Sequence, residues 1–150
     1  HKIKRISIMK CDCFKKQDEH TSPPYVVNVD QITLENPNFR TTIWTGKHLQ
    51  MTVMCIPSCG EIGLEIHPDV DQFIRVEKGK AIAYIGNQKD MLTFQQNMCE
   101  GDAVFIPAGM WHNILNVQRQ SLKVSVIYAP PNHPQGTVHR TKKEADMAEY

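Results

Sequence analysis

Four residues in this chain carry types and spacings suited to chemistry: Glu65, His67, Gln72 and His112. Glu65-Ile66-His67 sets a carboxylate and an imidazole two residues apart. On a strand such residues share a face, so the pair projects together while Ile66 points away. Gln72 follows after four residues and opens a run in phase with the apolar Ile74 and Val76. Arg75 and Glu77 alternate outward, which fixes the register of that run. A glutamine in phase with core residues is a buried polar group and requires a partner.

His112 stands in the sharpest motif of the chain. Gly101, Pro107, Gly109, His112 and Asn116 fit the pattern G-x5-P-x-G-x2-H-x3-N. Residues 104–106 read as a strand, and Pro107-Ala108-Gly109 reverses the chain through proline's fixed φ and glycine's freedom. The next strand then presents His112 on one face with Ile114 and Asn116.

These two stretches resemble the two motifs of the cupin superfamily. The chain is more particularly similar to small bacterial cupins labelled mannose-6-phosphate isomerase-like, over roughly residues 39–145. The resemblance implies an all-β fold, the cupin double-stranded β-helix or jelly-roll barrel, closed by a short C-terminal helix. By position it also implies a metal site of Glu65, His67, Gln72 and His112. Glu65 stands where cupins usually have a His, and Gln72 where they usually have a Glu. The carboxylate has moved, and the set keeps two imidazoles and one negative charge. Two readings of Gln72 stand open: a direct ligand, or a partner of a metal-bound water. A metal-free barrel in which Glu65 and Gln72 bond each other stands as the alternative to both. Four polar groups converging in one barrel are costly to bury without a shared partner, and a cation satisfies them together. Nitrogen and oxygen donors without a thiolate suit one divalent transition metal: Zn, Mn, Fe, Ni or Co. The expected partner is a small oxygenated molecule, a sugar or carboxylate, handled by a metal-dependent enzyme or held by a non-catalytic binding module. No catalytic residue is assigned.

Gln50, Thr52, Trp111 and Tyr128 are candidates to line the mouth of the barrel, and Arg40 and Trp44 share a face of an early strand. His133 and His139 lie on a Pro-rich loop and are not read as ligands. Residues 39–43 and 53–56 are apolar enough to pair with a second subunit, and the resemblance favours a homodimer.

The elements that must position these groups are short. Strands are expected at 25–29, 40–45, 49–56, 63–67, 72–77, 81–85, 103–106, 112–117 and 122–128, separated by Gly, Pro and Asn turns. No helical periodicity precedes the tail, where Thr141-Lys142-Lys143-Glu144 has capping-box spacing. Residues 1–24 read as an irregular lead-in and 25–150 as a single domain. With 17 Lys and Arg against 16 Asp and Glu, the net charge of +1 supplies no field for nucleic acid or an anionic membrane. No apolar run reaches membrane-spanning length. Five cysteines are an odd number in a chain large enough to fold without disulfides, so a reduced, cytoplasmic protein is expected. A basic cluster (His1, Lys2, Lys4, Arg5, Lys10) reads as a solvated end, and Cys11-Asp12-Cys13 lacks a second thiol pair for a metal.

Overall fold

The computed structural model describes residues 21–148; the basic cluster, the Cys11/Cys13 pair and most of the lead-in lie outside that range. In chain order the elements are α1 (Val29–Glu35), β1 (Arg40–Thr45), β2 (Gln50–Ile56), β3 (Asp71–Lys78), β4 (Ala81–Gly86), β5 (Phe94–Met98), β6 (Ala103–Ile106), β7 (Trp111–Asn116), β8 (Leu122–Ala129), β9 (Val138–His139) and α2 (Lys142–Met147). Two antiparallel sheets result, one of six strands in the order β6-β3-β8-β2-β1-β9 and one of three, β5-β4-β7. Their inner faces meet in a single core in which Met54, Ile74, Val76 and Val126 from the large sheet pack with Ala83 and Ile114 from the small one. The all-β expectation holds, and α2 begins where the capping box predicts, with Thr141 Oγ1 accepting from the Glu144 amide at 3.1 Å.

Three expectations are corrected. Residues 25–29 form no strand; they lead into helix α1, capped by Asn28, whose Oδ1 accepts from the Gln31 amide at 2.9 Å. Helix α1 touches β2, β3 and β8. Glu77, expected to face solvent, is buried on the outer side of the sheet, where it accepts from Ser125 Oγ and pairs with Arg75. The third correction is in β1, which carries a bulge between Thr42 and Trp44. An extra residue reverses the side-chain alternation, so Arg40 and Trp44 do not share a face. Arg40 is buried, whereas Trp44 is half-buried and donates its indole N–H to the Pro23 carbonyl at 2.8 Å.

Residues 39–43 and 53–56, expected to face a second subunit, are largely spent within the chain. Phe39, Val53, Met54 and Ile56 are buried in it. Among the exposed apolar side chains is Phe105, which is 74% exposed and meets Phe73 edge-on at 5.0 Å.

Candidate metal centre

Residues 63–67, expected as a strand, do not form a continuous one, and with them runs the preceding segment from residue 60. They run beside β7 through two isolated bridges, Glu61 to Leu115 and Glu65 to His112. The pairing slips by one residue between them, and Gly63, at φ +115°, supplies the backbone conformation that absorbs the slip. The Gly63 amide is held by Asn113 Oδ1 at 2.9 Å. Glu65 and His112 then exchange both backbone hydrogen bonds, at 3.0 and 2.9 Å. The Pro107-Ala108-Gly109 turn is tied to the first motif: Gly109 N–H donates to the His67 carbonyl, and Ala108 N–H to Asp71 Oδ1, both at 2.9 Å. The two motifs are thereby fixed to each other through the backbone.

The side chains converge as a consequence. One ligand atom from each of Glu65, His67 and His112 lies within 4.8 Å of the other two. Glu65 Oε1 stands 3.3 Å from His67 Nε2 and 3.6 Å from His112 Nε2. The imidazole rings lie 5.3 Å apart, tilted by 54°. His112 Nδ1 is 2.9 Å from the Met110 carbonyl, which can only accept, so Nδ1 carries the proton and the Nε2 lone pair faces the cluster. Glu65 Oε1, His67 Nε2 and His112 Nε2 are all buried without a well-formed hydrogen bond. Burial opposes ionisation of Glu65, but the facing His112 and His67 outweigh it and hold the carboxyl well below the usual range. A persistent carboxylate and two imidazole nitrogens, once unprotonated, could hold a divalent ion, and the three buried atoms without well-formed hydrogen bonds are what such an ion would satisfy.

Gln72 is buried at the start of β3, and its Oε1 also lacks a partner. In the strand register Gln50, Tyr128 and Gln72 stand side by side across β2, β8 and β3. Tyr128 is fully buried; its ring meets His67 edge-on at 6.0 Å, and burial raises its pKa to about 12. Thr52 is fully buried one step along β2, and its hydroxyl is without a well-aligned partner.

Two of the candidate ligand-lining residues are elsewhere engaged. Gln50 donates to Thr45 Oγ1 and the His133 carbonyl and accepts from the Asn132 and His133 amides, at 2.7–3.0 Å. Every hydrogen-bonding position of its amide is used, so it anchors the Pro-rich loop and has none left for a ligand. Trp111 alternates with the buried His112 and so faces away from the cluster, where Lys89 Nζ sits 5.6 Å from its ring centre.

A cavity of about 290 Å³ adjoins Glu65 and His67 and is lined further by Arg40, Asn132, His133 and His139. Arg40, His133 and His139 line the cavity beside Glu65 and His67, though the sequence alone does not place them there. Arg40 pairs with His139 across β1 and β9, and Arg40 Nη1 lies 3.0 Å from His139 Nδ1. His133 Nε2 lies 3.3 Å from the Tyr128 hydroxyl, and burial, reinforced by the Arg40 charge, lowers its pKa to about 3. A two-residue strand is too short to leave a pattern; the available signal was an arginine opening an otherwise uncharged strand.

Residues 52–128 match the Cupin domain family. The chain is 52% identical over 126 residues to the uncharacterized protein YrkC of Bacillus subtilis, covering 84% of this chain and 68% of that protein. It is 45% identical over 115 residues to the uncharacterized protein L612 of Acanthamoeba polyphaga mimivirus, covering 76% and 70%. The crystal structure of BH2720 from Bacillus halodurans superposes with a TM-score of 0.84 at 48% identity, covering 88% of this chain and all of that one. With its double-stranded β-helix and both motifs in place, the chain belongs to the cupin family.

Proposed function

We propose that this protein is a metal-dependent cupin enzyme that binds one divalent transition ion through Glu65, His67 and His112 and acts on a small oxygenated molecule in the adjoining cavity. Gln72 completes the set, as a ligand or as the holder of a metal-bound water. The observation that carries the reading is the convergence of three buried ligand atoms, none with a well-formed hydrogen bond, within 4.8 Å. When bound, the ion supplies Lewis acidity to a substrate oxygen. The chain itself supplies the remaining parts. His112 is held in one tautomer by Met110, Glu65 provides the offsetting negative charge, and the buried Tyr128 walls one side of His67. His133, kept neutral and placed against the Tyr128 hydroxyl, is a hydrogen-bonding group on the cavity wall.

The particular likeness to mannose-6-phosphate isomerase-like cupins rests on the two motifs, and no residue here is specific to sugar isomerisation. Cys55, Cys59 and Cys99 are free thiols, which supports a reducing, cytoplasmic setting, and among the described residues no helix is long and apolar enough to cross a membrane. Metal analysis of untagged protein, followed by a turnover screen with sugars and carboxylates, tests the reading. Turnover that disappears on metal removal supports it. Ligand binding without turnover would replace the enzyme by a binding module.

A further inference from the structure

Arg40 presents a problem of charge. Its guanidinium is permanently charged, the residue is 4% exposed, and among the described residues it forms no ion pair with an acid. Its Nε is buried without a hydrogen-bond partner, its Nη1 lies against the ring nitrogen of His139, and its other neighbours, Tyr128 and the Phe39 ring at 5.5 Å, are uncharged. Two carboxylates border the same cavity, and neither serves Arg40. Glu65 is turned to His67 and His112, and Asp146 is bound by Lys142 Nζ at 2.7 Å. A buried cation without a counter-charge is expensive, and its natural complement is an anion delivered from solution. The surrounding groups suit one. His139 faces Arg40 through Nδ1, which must act as acceptor there, and the cavity wall adds Asn132.

The cavity is small, about 290 Å³, and joins Arg40 to the cluster of Glu65 and His67. A divalent ion held by a single carboxylate would keep a net positive charge, so both ends of the metal-loaded cavity would be positive. We propose that it takes a short dicarboxylate, one carboxylate forked on Arg40 and an oxygen of the other directed at the Glu65–His67–His112 cluster. This rests on the metal reading above and names the substrate class for it. A planar guanidinium offers two parallel N–H groups to a carboxylate, which makes Arg40 an orienting residue as well as a charge.

The test is calorimetric titration of metal-loaded protein with oxalate, malonate, succinate and glutarate. Acetate, inorganic phosphate and 1,4-butanediol serve as comparison ligands, and metal content is measured on every sample. One dicarboxylate should bind at least tenfold more tightly than acetate or phosphate, and the diol should not bind. Arg40→Gln should weaken that dicarboxylate at least tenfold with metal content unchanged, and Arg40→Lys should recover part of the loss. If Arg40→Gln does not fold, Arg40→Lys and the wild-type ligand series decide. Equal affinity in wild type and the folded Arg40 variants overturns the inference, as does a wild type that binds no dicarboxylate or prefers phosphate. Wild type that holds no metal would instead refute the metal reading, so the two failures are distinct.

Discussion

Glu65 and His112 are joined by a reciprocal pair of backbone hydrogen bonds, although their side chains come from motifs 47 residues apart in the chain. That pairing sets Glu65 Oε1 and His112 Nε2 3.6 Å apart before any ion is considered. The cluster is therefore held by the fold, and an ion bound there would have little backbone left to order.

Gln50 should matter for stability and not for the ion. Gln50→Leu leaves the Asn132 and His133 amides without their acceptor. Each stranded donor costs about 1–3 kcal/mol, so urea denaturation should show a loss of roughly 2–5 kcal/mol with metal content intact. Unchanged stability would return Gln50 to the list of ligand-binding residues.

The displaced carboxylate gives a charge test. Glu65→Gln keeps an oxygen but removes the negative charge, and metal affinity should fall by about two orders of magnitude or more. Gln72→Ala should cost about tenfold. Adding Gln72→Glu to Glu65→Gln restores a carboxylate on the neighbouring strand and should recover part of the affinity. Titration of all four proteins with Zn(II) and Mn(II) reads the series, and equal affinity in wild type and Glu65→Gln would reject Glu65 as a ligand.

The parts of this site visible in the sequence were those set by period-two alternation and by turn chemistry. Glu65 with His67, and His112 with Ile114 and Asn116, follow from strand geometry, and Pro107 and Gly109 mark the turn between β6 and β7. What stayed hidden depends on irregularity or on distant partners. The bulge in β1 separates Arg40 from Trp44, and a one-residue insertion has no compositional mark. Helix α1 spans seven residues, too few for a periodicity, though Asn28 and Gln31 have capping spacing. β5 is exposed and polar at Gln95, Gln96 and Asn97, so its strand character comes from pairing with β4. Gln50 looked like a ligand-binding residue because its true partners, on the 132–133 loop, lie 82 and 83 residues away.

Acid should destabilise the metal-free protein partly through His133. Its ordinary pKa of 6.5 is lowered to about 3 in the folded chain, first by burial and then by the charge of Arg40. Between those values the unfolded chain binds a proton that the folded chain refuses, so stability falls as pH drops from about 6.5 towards 3. Denaturation midpoints at pH 7, 5 and 4 should show a shallower decline in His133→Gln. Identical slopes in the two proteins would contradict the neutral, buried His133.

We propose that the protein is a homodimer, supported by the exposed apolar patch of Phe105 beside Phe73 on the outer face of the large sheet. Light scattering should report two chains per particle at micromolar concentration, and Phe105→Glu should shift the balance towards monomer. A wild-type monomer across that range would refute the dimer.

The central claim is tested most directly by metal stoichiometry. Elemental analysis of untagged protein, loaded with a divalent transition metal and freed of excess, should find close to one ion per chain. His112→Ala removes a nearly solvent-free ligand, 2% exposed, and should leave a small fraction of that amount in a folded protein. Equally little metal in wild type and His112→Ala under metal-replete conditions would contradict the account.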